Sequence, residues 1–268
     1  MFFVMIMFIH ICNISQMLYM LYIWPTHRLL EDFYVYENQL TGSLPMVFEN
    51  VENLGLYNNM FTGPLVVQSE QVILLQVSHN MFTGSFPSIL CSSSSIIEIT
   101  LSYNQFTGEI PSCIGSIINS MTFLGVSNNL LSGTIPSSVT NITSLKTVIL
   151  STNYFDGSIT NLCNNMQSLS TIDVSDNGFT GQLPYGAFQP LLVSFVGAKN
   201  CFIGPLSGDI CDALYLDTLI LSGLNAGSSC AKSISLFGDR VRSSTPFEGW
   251  CSLWVFFCVV VIYVWLPL

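Results

Sequence analysis

The sequence predicts an α/β repeat fold, a right-handed solenoid whose successive coils share one parallel sheet. The first observation behind this prediction is a motif in which asparagine precedes glycine by four residues, with an apolar residue between them. The motif occurs eight times, and successive asparagines are 21 to 25 residues apart, a period typical of solenoids. These asparagines are Asn38, Asn59, Asn80, Asn104, Asn129, Asn153, Asn177 and Asn200.

The second observation is the spacing of apolar residues, which lie eight, five and three positions before each asparagine. In the third copy these residues are Val72, Leu75 and Val77. The last two are two residues apart, so their side chains share one face of a short strand. We therefore expect each copy to add one strand whose apolar side chains face the interior.

The asparagine and the glycine of each copy have separate predicted roles at the turn after the strand. An asparagine side chain both donates and accepts hydrogen bonds, so a column of asparagines can satisfy backbone groups of adjacent coils. Glycine permits the positive φ that a tight bend requires. We therefore expect the eight asparagines to form a structural ladder through the solenoid.

The segment IIEITLSYNQFTGEIPSCI resembles the plant-type leucine-rich repeat. That family includes the ectodomains of receptor-like kinases and receptor-like proteins, and the polygalacturonase inhibitors. The resemblance covers residues 29–230, as eight full repeats and a degenerate ninth with Leu224 in place of asparagine. It implies that the strands line a concave face and that the GxIP segment adds a short second strand.

The concave face is the predicted ligand-binding surface, because it carries the strand residues that alternate with the buried ones. These residues lie six, four and two positions before each asparagine, and tyrosines among them are typical anchors of protein interfaces. The candidate ligand-binding residues on or beside this face are Tyr34, Tyr36, Tyr57, Gln76, Glu98, Tyr103, Phe123 and Asp173.

Two uncharged hydrophobic segments flank the repeats. Residues 1–24 are predicted to be a signal or anchor segment, with an incorrect gene start as the alternative. Residues 250–268 are predicted to be a membrane segment and follow a linker at 231–249. The alternatives for the C-terminal segment are a lipid-anchor signal, removed in the mature protein, and a translated intron.

Composition and motifs argue against nucleic-acid binding and catalysis. The net charge is −10 and only 8% of residues are charged, whereas a nucleic-acid-binding protein has a basic stripe. The sequence has no nucleophile elbow, phosphate-binding loop or kinase motif, and no Cys/His spacing of a zinc site. We therefore expect no enzyme activity, no metal and no cofactor.

The cysteines and one sequon fit the secretory pathway. Cys91 and Cys113 follow the motif in neighbouring repeats, and Cys211 and Cys230 flank the last one, so each pair is a disulfide candidate; buried thiols are the alternative. Asn141 opens an Asn-Ile-Thr sequon and is a glycosylation candidate.

The predicted function is that of a receptor-like protein at the cell membrane or outside the cell. It would bind a protein, peptide or glycan on its concave face and signal through a co-receptor, since it has no kinase domain. One alternative is a secreted enzyme inhibitor of the polygalacturonase-inhibitor type. Another is a structural wall or adhesion protein.

Overall fold

The computed structural model describes residues 4–6, 31–44, 48–117, 120–163, 165–184, 191–203 and 215–223. In these residues the chain winds into coils that contribute to two sheets, one of ten strands and one of eight. Every neighbouring pair of strands in both sheets is parallel. The parallel solenoid predicted from the repeat period is therefore confirmed.

The ten-stranded sheet follows the order of the chain: Val4–Ile6 precedes the repeats, and each of the nine repeats then adds one strand. Equivalent positions of successive repeats are paired, as in Phe123 with Glu98 and Leu124 with Ile99. Its strands are Val4–Ile6, Asp32–Tyr34, Asn53–Gly55, Leu74–Gln76, Glu98–Thr100, Phe123–Gly125, Thr147–Ile149, Thr171–Asp173, Ser194–Val196 and Thr218–Ile220.

The eight-stranded sheet is formed by the segments that follow the asparagines. Its strands are Thr41–Ser43, Met60–Pro64, Met81–Ser85, Gln105–Gly108, Leu130–Thr134, Tyr154–Ser158, Gly178–Gly181 and Cys201–Phe202. Most of these strands begin directly after the asparagine and include the glycine, so they start earlier than the GxIP segment expected from the resemblance. Three 3₁₀ helices within the described residues, Ser88–Ser92, Ser112–Ser116 and Ser137–Asn141, return the chain towards the ten-stranded sheet.

The core contains the apolar residues that the spacing predicts. Val72, Leu75 and Val77 are fully buried, and the same positions are buried in the neighbouring repeats. A column of phenylalanines, two residues after the asparagines, fills the space between the two sheets. The Phe61 and Phe82 rings stack with centroids 5.8 Å apart, and Phe155 and Phe179 stack at 6.1 Å. Burial of these large side chains, together with the buried leucines, isoleucines and valines, provides the apolar contribution to folding.

The asparagine ladder connects each coil to the one before it. The Asn129 amide nitrogen donates to the carbonyl oxygens of Val126 and Ser127 in its own coil and of Leu101 in the preceding coil. Its oxygen accepts a hydrogen bond from the backbone nitrogen of Phe106 at 3.0 Å. Asn59, Asn80, Asn104, Asn153, Asn177 and Asn200 make the equivalent contacts in their coils. Each asparagine therefore satisfies backbone groups that the turn leaves unpaired.

The residue immediately before each ladder asparagine has a left-handed backbone. These residues have φ between 53° and 57°, and none of them is glycine. They are Glu37, Asn58, His79, Tyr103, Asn128, Thr152, Asp176 and Lys199. A left-handed conformation costs an ordinary residue about 1–2 kcal/mol, so the ladder and the core must hold each turn in place.

The structure describes the segments at the two ends of the repeat region only in part. Val4–Ile6 lie within the predicted signal or anchor segment and pair with Asp32–Tyr34 at the edge of the ten-stranded sheet. Outside the described residues lie the rest of segment 1–24, the linker 231–249 and the segment 250–268. Leu224 and Gly204, the glycine that follows Asn200 by four residues, also lie outside them. No helix in the described part of the chain is long and apolar enough to span a membrane.

A disulfide joins Cys91 and Cys113, whose Cα atoms are 5.5 Å apart, and so links two neighbouring coils as the sequence suggested. Cys201, which was not among the candidates, is also disulfide-bonded. Cys211 and Cys230 lie outside the described residues, so their pairing stays a prediction.

Replacing a central ladder asparagine is expected to destabilise the solenoid strongly. Asn129→Ala removes four hydrogen bonds at a site that is only 6% exposed, and leaves the Phe106 nitrogen without its acceptor. We expect the free energy of unfolding, measured by urea denaturation, to fall by about 3 kcal/mol.

The matched control is Asn38→Ala in the first repeat, where the side chain donates one hydrogen bond, to the Tyr36 carbonyl. This variant should lose only about 1 kcal/mol. Equal losses in Asn129→Ala and Asn38→Ala would contradict the role of the ladder as the link between coils.

Candidate functional site

The outer face of the ten-stranded sheet carries the predicted ligand-binding positions. Side chains alternate along each strand, so in Asp32–Tyr34 the central Phe33 is buried and its neighbours are partly exposed. Because equivalent positions are paired, side chains of successive repeats lie in columns across the sheet. We call the residues six, four and two positions before the ladder asparagines the outward strip.

Three tyrosines form one cluster at the N-terminal end of the outward strip. The rings of Tyr36 and Tyr57 are stacked, with centroids 4.6 Å apart and an interplanar angle of 5°. Tyr34 meets Tyr36 edge to face at 6.2 Å. We call Tyr34, Tyr36 and Tyr57 the aromatic cluster. All three are half-buried rather than fully exposed, because each ring covers part of its neighbour.

Gly55 makes this arrangement of rings sterically feasible. Tyr34 is paired with Gly55 in the adjacent strand, and a Cβ atom on Gly55 would lie 2.5 Å from Cδ1 of Tyr34. Any larger residue at position 55 would therefore displace the Tyr34 ring. A ring also lies close to a glycine further along the strip, where the Phe123 ring lies over Gly125.

Two carboxylate–amide pairs flank the aromatic cluster. The Asn53 side-chain nitrogen donates to Oδ1 of Asp32 at 2.6 Å. Two strands further on, the Gln76 side-chain nitrogen donates to Oε1 of Glu98 at 3.2 Å. These hydrogen bonds fix one oxygen of each carboxylate and orient the side chains across the strip.

The surroundings of Tyr34 and Tyr57 favour the neutral form of their phenols. Partial burial raises the pKa of Tyr34 above its ordinary value, and the nearby Asp32 carboxylate and the Tyr36 phenol raise it further. Burial also raises the pKa of Tyr57, with smaller contributions from Tyr36 and Glu37. The raised pKa values extend the alkaline pH range over which the Tyr34 and Tyr57 hydroxyls remain hydrogen-bond donors as well as acceptors.

The remaining predicted residues do not join the aromatic cluster. We call the residues with positive φ that directly precede the ladder asparagines the left-handed column. Tyr103 belongs to this column; it is 50% exposed, and its ring stacks on His79 with centroids 4.2 Å apart. Phe123 is half-buried further along the sheet. Asp173 accepts hydrogen bonds from the backbone and side chain of Ser175, at 2.9 and 2.6 Å. The structure therefore gathers Tyr34, Tyr36 and Tyr57 and separates the other three. Gln76 is paired with Gly55 in the adjacent strand, and its hydrogen bond to Glu98 extends one strand further.

The left-handed column is a surface that the sequence analysis did not single out. Its side chains border the outward strip and include a Lys199–Asp176 ion pair at 3.7 Å between two exposed residues. In the sequence, this position is marked only by a variable residue that directly precedes each ladder asparagine and follows the last position of the strip. No single repeat shows that this position has a positive φ.

Other surfaces in the described residues offer less for specific binding. Asn141, the glycosylation candidate, is exposed at the end of a 3₁₀ helix, beside a shallow polar depression that Thr140, Asn165 and Gln167 help to line. Within the described ranges, no group of His, Cys, Asp and Glu side chains is arranged to hold a metal ion.

Alkaline titration should detect the environment of the aromatic cluster. Tyr34 and Tyr57 are expected to ionise at higher pH than free tyrosine, as measured by NMR of tyrosines labelled at 13Cζ. Asp32→Asn should lower the pKa of Tyr34 because the carboxylate that opposes phenolate formation is removed. The shift should be only partial, since burial is the larger cause.

Glu109→Gln, just after the strand Gln105–Gly108 of the eight-stranded sheet, is the control and should leave the pKa of both tyrosines unchanged. If Asp32→Asn raised the pKa of Tyr34 or left it unchanged, the described position of the Asp32 carboxylate would be wrong.

Comparison with known proteins agrees with this geometry. The Leucine Rich Repeat family matches residues 95–117, which include the strand Glu98–Thr100 and the ladder residue Asn104. No curated protein matches the chain in sequence.

Similar solved structures include several plant receptor ectodomains. One is the ectodomain of the Arabidopsis thaliana membrane receptor kinase GASSHO1/SCHENGEN3 in complex with CASPARIAN STRIP INTEGRITY FACTOR 2. It is 26% identical in sequence to this chain, with a TM-score of 0.68, and the match covers 72% of this chain and 24% of the receptor chain. The plant peptide hormone receptor RGFR1 with RGF2 is 25% identical over 75% of this chain and 35% of its own, with a TM-score of 0.68.

A third similar structure is the Arabidopsis receptor kinase HAESA with the peptide hormone IDA and the co-receptor SERK1. It is 30% identical over 73% of this chain and 38% of its own, with a TM-score of 0.57. The chain thus spans between about a quarter and two fifths of the length of these three receptors. With two parallel sheets and an asparagine ladder, the described repeats form a leucine-rich-repeat solenoid similar to those of these plant receptor ectodomains.

Proposed function

We propose that this chain is a receptor-like recognition module outside the cell, associated with the membrane and without catalytic activity of its own. It binds a peptide or protein ligand on the outward strip. The observation that carries the proposal is the aromatic cluster, in which three tyrosines lie together on a sheet face beside polar side chains held by hydrogen bonds.

The shape of the strip suits an extended ligand. The eight strands that carry it, from Asp32–Tyr34 to Ser194–Val196, follow one another at a spacing of about 4.8 Å, so the strip is about 34 Å long. An extended peptide of about 12 residues covers that distance. Tyrosines provide large contact areas at low entropic cost, and they are frequent anchors at such interfaces.

The similar structures support the same kind of ligand. GASSHO1/SCHENGEN3 was solved with CASPARIAN STRIP INTEGRITY FACTOR 2, and the peptide hormone receptor RGFR1 with RGF2. HAESA was solved with the peptide hormone IDA and the co-receptor SERK1. This module is likewise expected to signal through a protein partner.

Selection from a random library of dodecapeptides tests where ligands bind. The full chain, purified in a non-ionic detergent, is used as bait. We expect the selected peptides to bind at least about tenfold more weakly to Tyr57→Ser, because the stacked anchor is lost. Thr62→Ala, on the eight-stranded sheet, is the matched control and should bind normally. Selected peptides that depended on Thr62 and ignored Tyr57 would contradict the proposal.

Two further measurements separate this function from that of a secreted inhibitor. A receptor-like protein should stay in the membrane fraction after washing with alkaline carbonate. A soluble product that inhibited polygalacturonase would instead support the inhibitor function and would contradict the membrane-associated module.

A further inference from the structure

A row of exposed side chains runs along one edge of the solenoid, on the turn that joins the two sheets. The ladder asparagines of this turn point into the interior, so in most coils the residues directly before and after them face outward. Asn58 and Met60, for example, are exposed on either side of buried Asn59. We call the residues directly before and after the ladder asparagines the lateral edge. It consists of the left-handed column and a second row, from which most strands of the eight-stranded sheet begin.

Hydrogen bonds between coils keep the lateral edge regular. The backbone nitrogens of seven ladder asparagines, from Asn38 to Asn177, each donate to the carbonyl oxygen of the left-handed residue in the next coil. The distance is 3.1 Å from Asn80 to Tyr103 and 3.3 Å from Asn177 to Lys199. The left-handed column therefore advances by about one strand spacing per coil and is about 34 Å long.

The middle of the lateral edge is apolar. Eleven large apolar side chains are exposed among the described residues, and five of them lie on this edge, one in each coil from the second to the sixth. These five are Met60, Met81, Tyr103, Leu130 and Tyr154. Exposed apolar side chains that follow one another in this way are typical of surfaces that bind another protein.

The two ends of the lateral edge carry opposite charges. Exposed Glu37 lies in the first coil, counted by the ladder asparagines, and exposed Lys199 lies in the eighth. A second carboxylate, Asp176 in the seventh coil, pairs with Lys199 at 3.7 Å. A copy of the same edge that runs in the opposite direction would place Glu37 against Lys199 at each end. The edge is therefore complementary in charge to itself.

We propose that the lateral edge is an interface between two copies of this chain, stacked edge to edge and related by two-fold symmetry. The first coil of one copy faces the eighth coil of the other. In this register Glu37 faces Lys199 at both ends, and Met81 faces Tyr154 on both sides of the symmetry axis. The outward strip stays open in both copies, so the proposal is independent of the proposed function.

Charge favours this register over the neighbouring one. If the first coil faced the seventh coil of the other copy, Glu37 would lie against Asp176, and the like charges would repel each other. In the proposed register Asp176 faces Asn58 instead. The Asn58 side-chain amide can donate a hydrogen bond to the Asp176 carboxylate.

The size of the lateral edge is that of a reversible contact. An edge of this length and two residues wide would bury on the order of 500 Å² of each copy, which is at the low end for specific protein interfaces. We therefore expect a dissociation constant on the order of 10 μM rather than a permanent dimer.

Sedimentation equilibrium of the full chain, in a non-ionic detergent whose density is matched to that of the buffer, tests this dimer. At low salt the wild type should show a reversible equilibrium between monomer and dimer. Glu37→Lys and Lys199→Glu should each raise the dissociation constant about tenfold, because like charges then meet at both ends. The double variant should regain at least the wild-type affinity, since opposite charges face each other again.

Further variants separate the lateral edge from other surfaces. Tyr154→Ser should weaken the dimer at least about tenfold, because the side chain is lost from both copies. Val66→Ser and Glu70→Lys replace exposed residues away from the edge and should leave the dissociation constant unchanged. Since all the replaced side chains are exposed, urea denaturation should give each variant close to the wild-type free energy of unfolding.

Three results would overturn the proposal. A dimer tightened by Glu37→Lys would mean that Glu37 faces Asp176, so the proposed pairing would be wrong. A dimer that none of the edge variants weakens would form through another part of the chain. A chain that stays monomeric at about 500 μM would leave the edge to a different partner. None of these results bears on the outward strip, which is tested separately by peptide binding to Tyr57→Ser.

Discussion

The asparagine ladder is the interaction on which the rest of this structure depends. A solenoid must turn once in every coil, and each turn leaves buried backbone groups without partners from a regular sheet. One asparagine per coil accepts from a backbone nitrogen of the preceding coil and donates to carbonyls of both coils, as Asn80 does with Phe61, Leu56 and Val77. The ladder thereby fixes the register of the strands, and with it the columns of side chains on both faces.

Because the interior is fixed by the ladder and the apolar core, the outer face is free to vary. Phe33, Leu54 and Leu75 are buried at equivalent positions, while the residues beside them range from Asp32 to Leu74. The aromatic cluster is a consequence of this freedom. Tyrosines at one position in two successive coils must lie about one strand spacing apart, and Tyr36 and Tyr57 stack at 4.6 Å for that reason.

Much of the fold could be predicted from the sequence because it depends on residues that recur in every copy. The buried positions, the ladder and the Cys91–Cys113 contact follow from period and spacing. Features that depend on backbone conformation or on single neighbours could not be predicted in the same way. The left-handed φ at Thr152, the space that Gly55 leaves for Tyr34 and the disulfide bond at Cys201 belong to this second group.

The candidate site shows the same division. Alternation along the strands placed Tyr34, Tyr36 and Tyr57 on one face, but not the stacking that leaves a single aromatic face open. Tyr103 was grouped with them by residue type, yet its position just before a ladder asparagine puts it in the left-handed column with His79.

Site-specific photocrosslinking would test most directly the claim that the outward strip is the recognition surface. A benzophenone amino acid replaces Ser78 beside Tyr57 in one protein and exposed Ser85 on the eight-stranded sheet in another. Each protein is irradiated with the selected dodecapeptides. Our account predicts efficient crosslinking from position 78 and only background from position 85. Crosslinking from position 85 alone would contradict it.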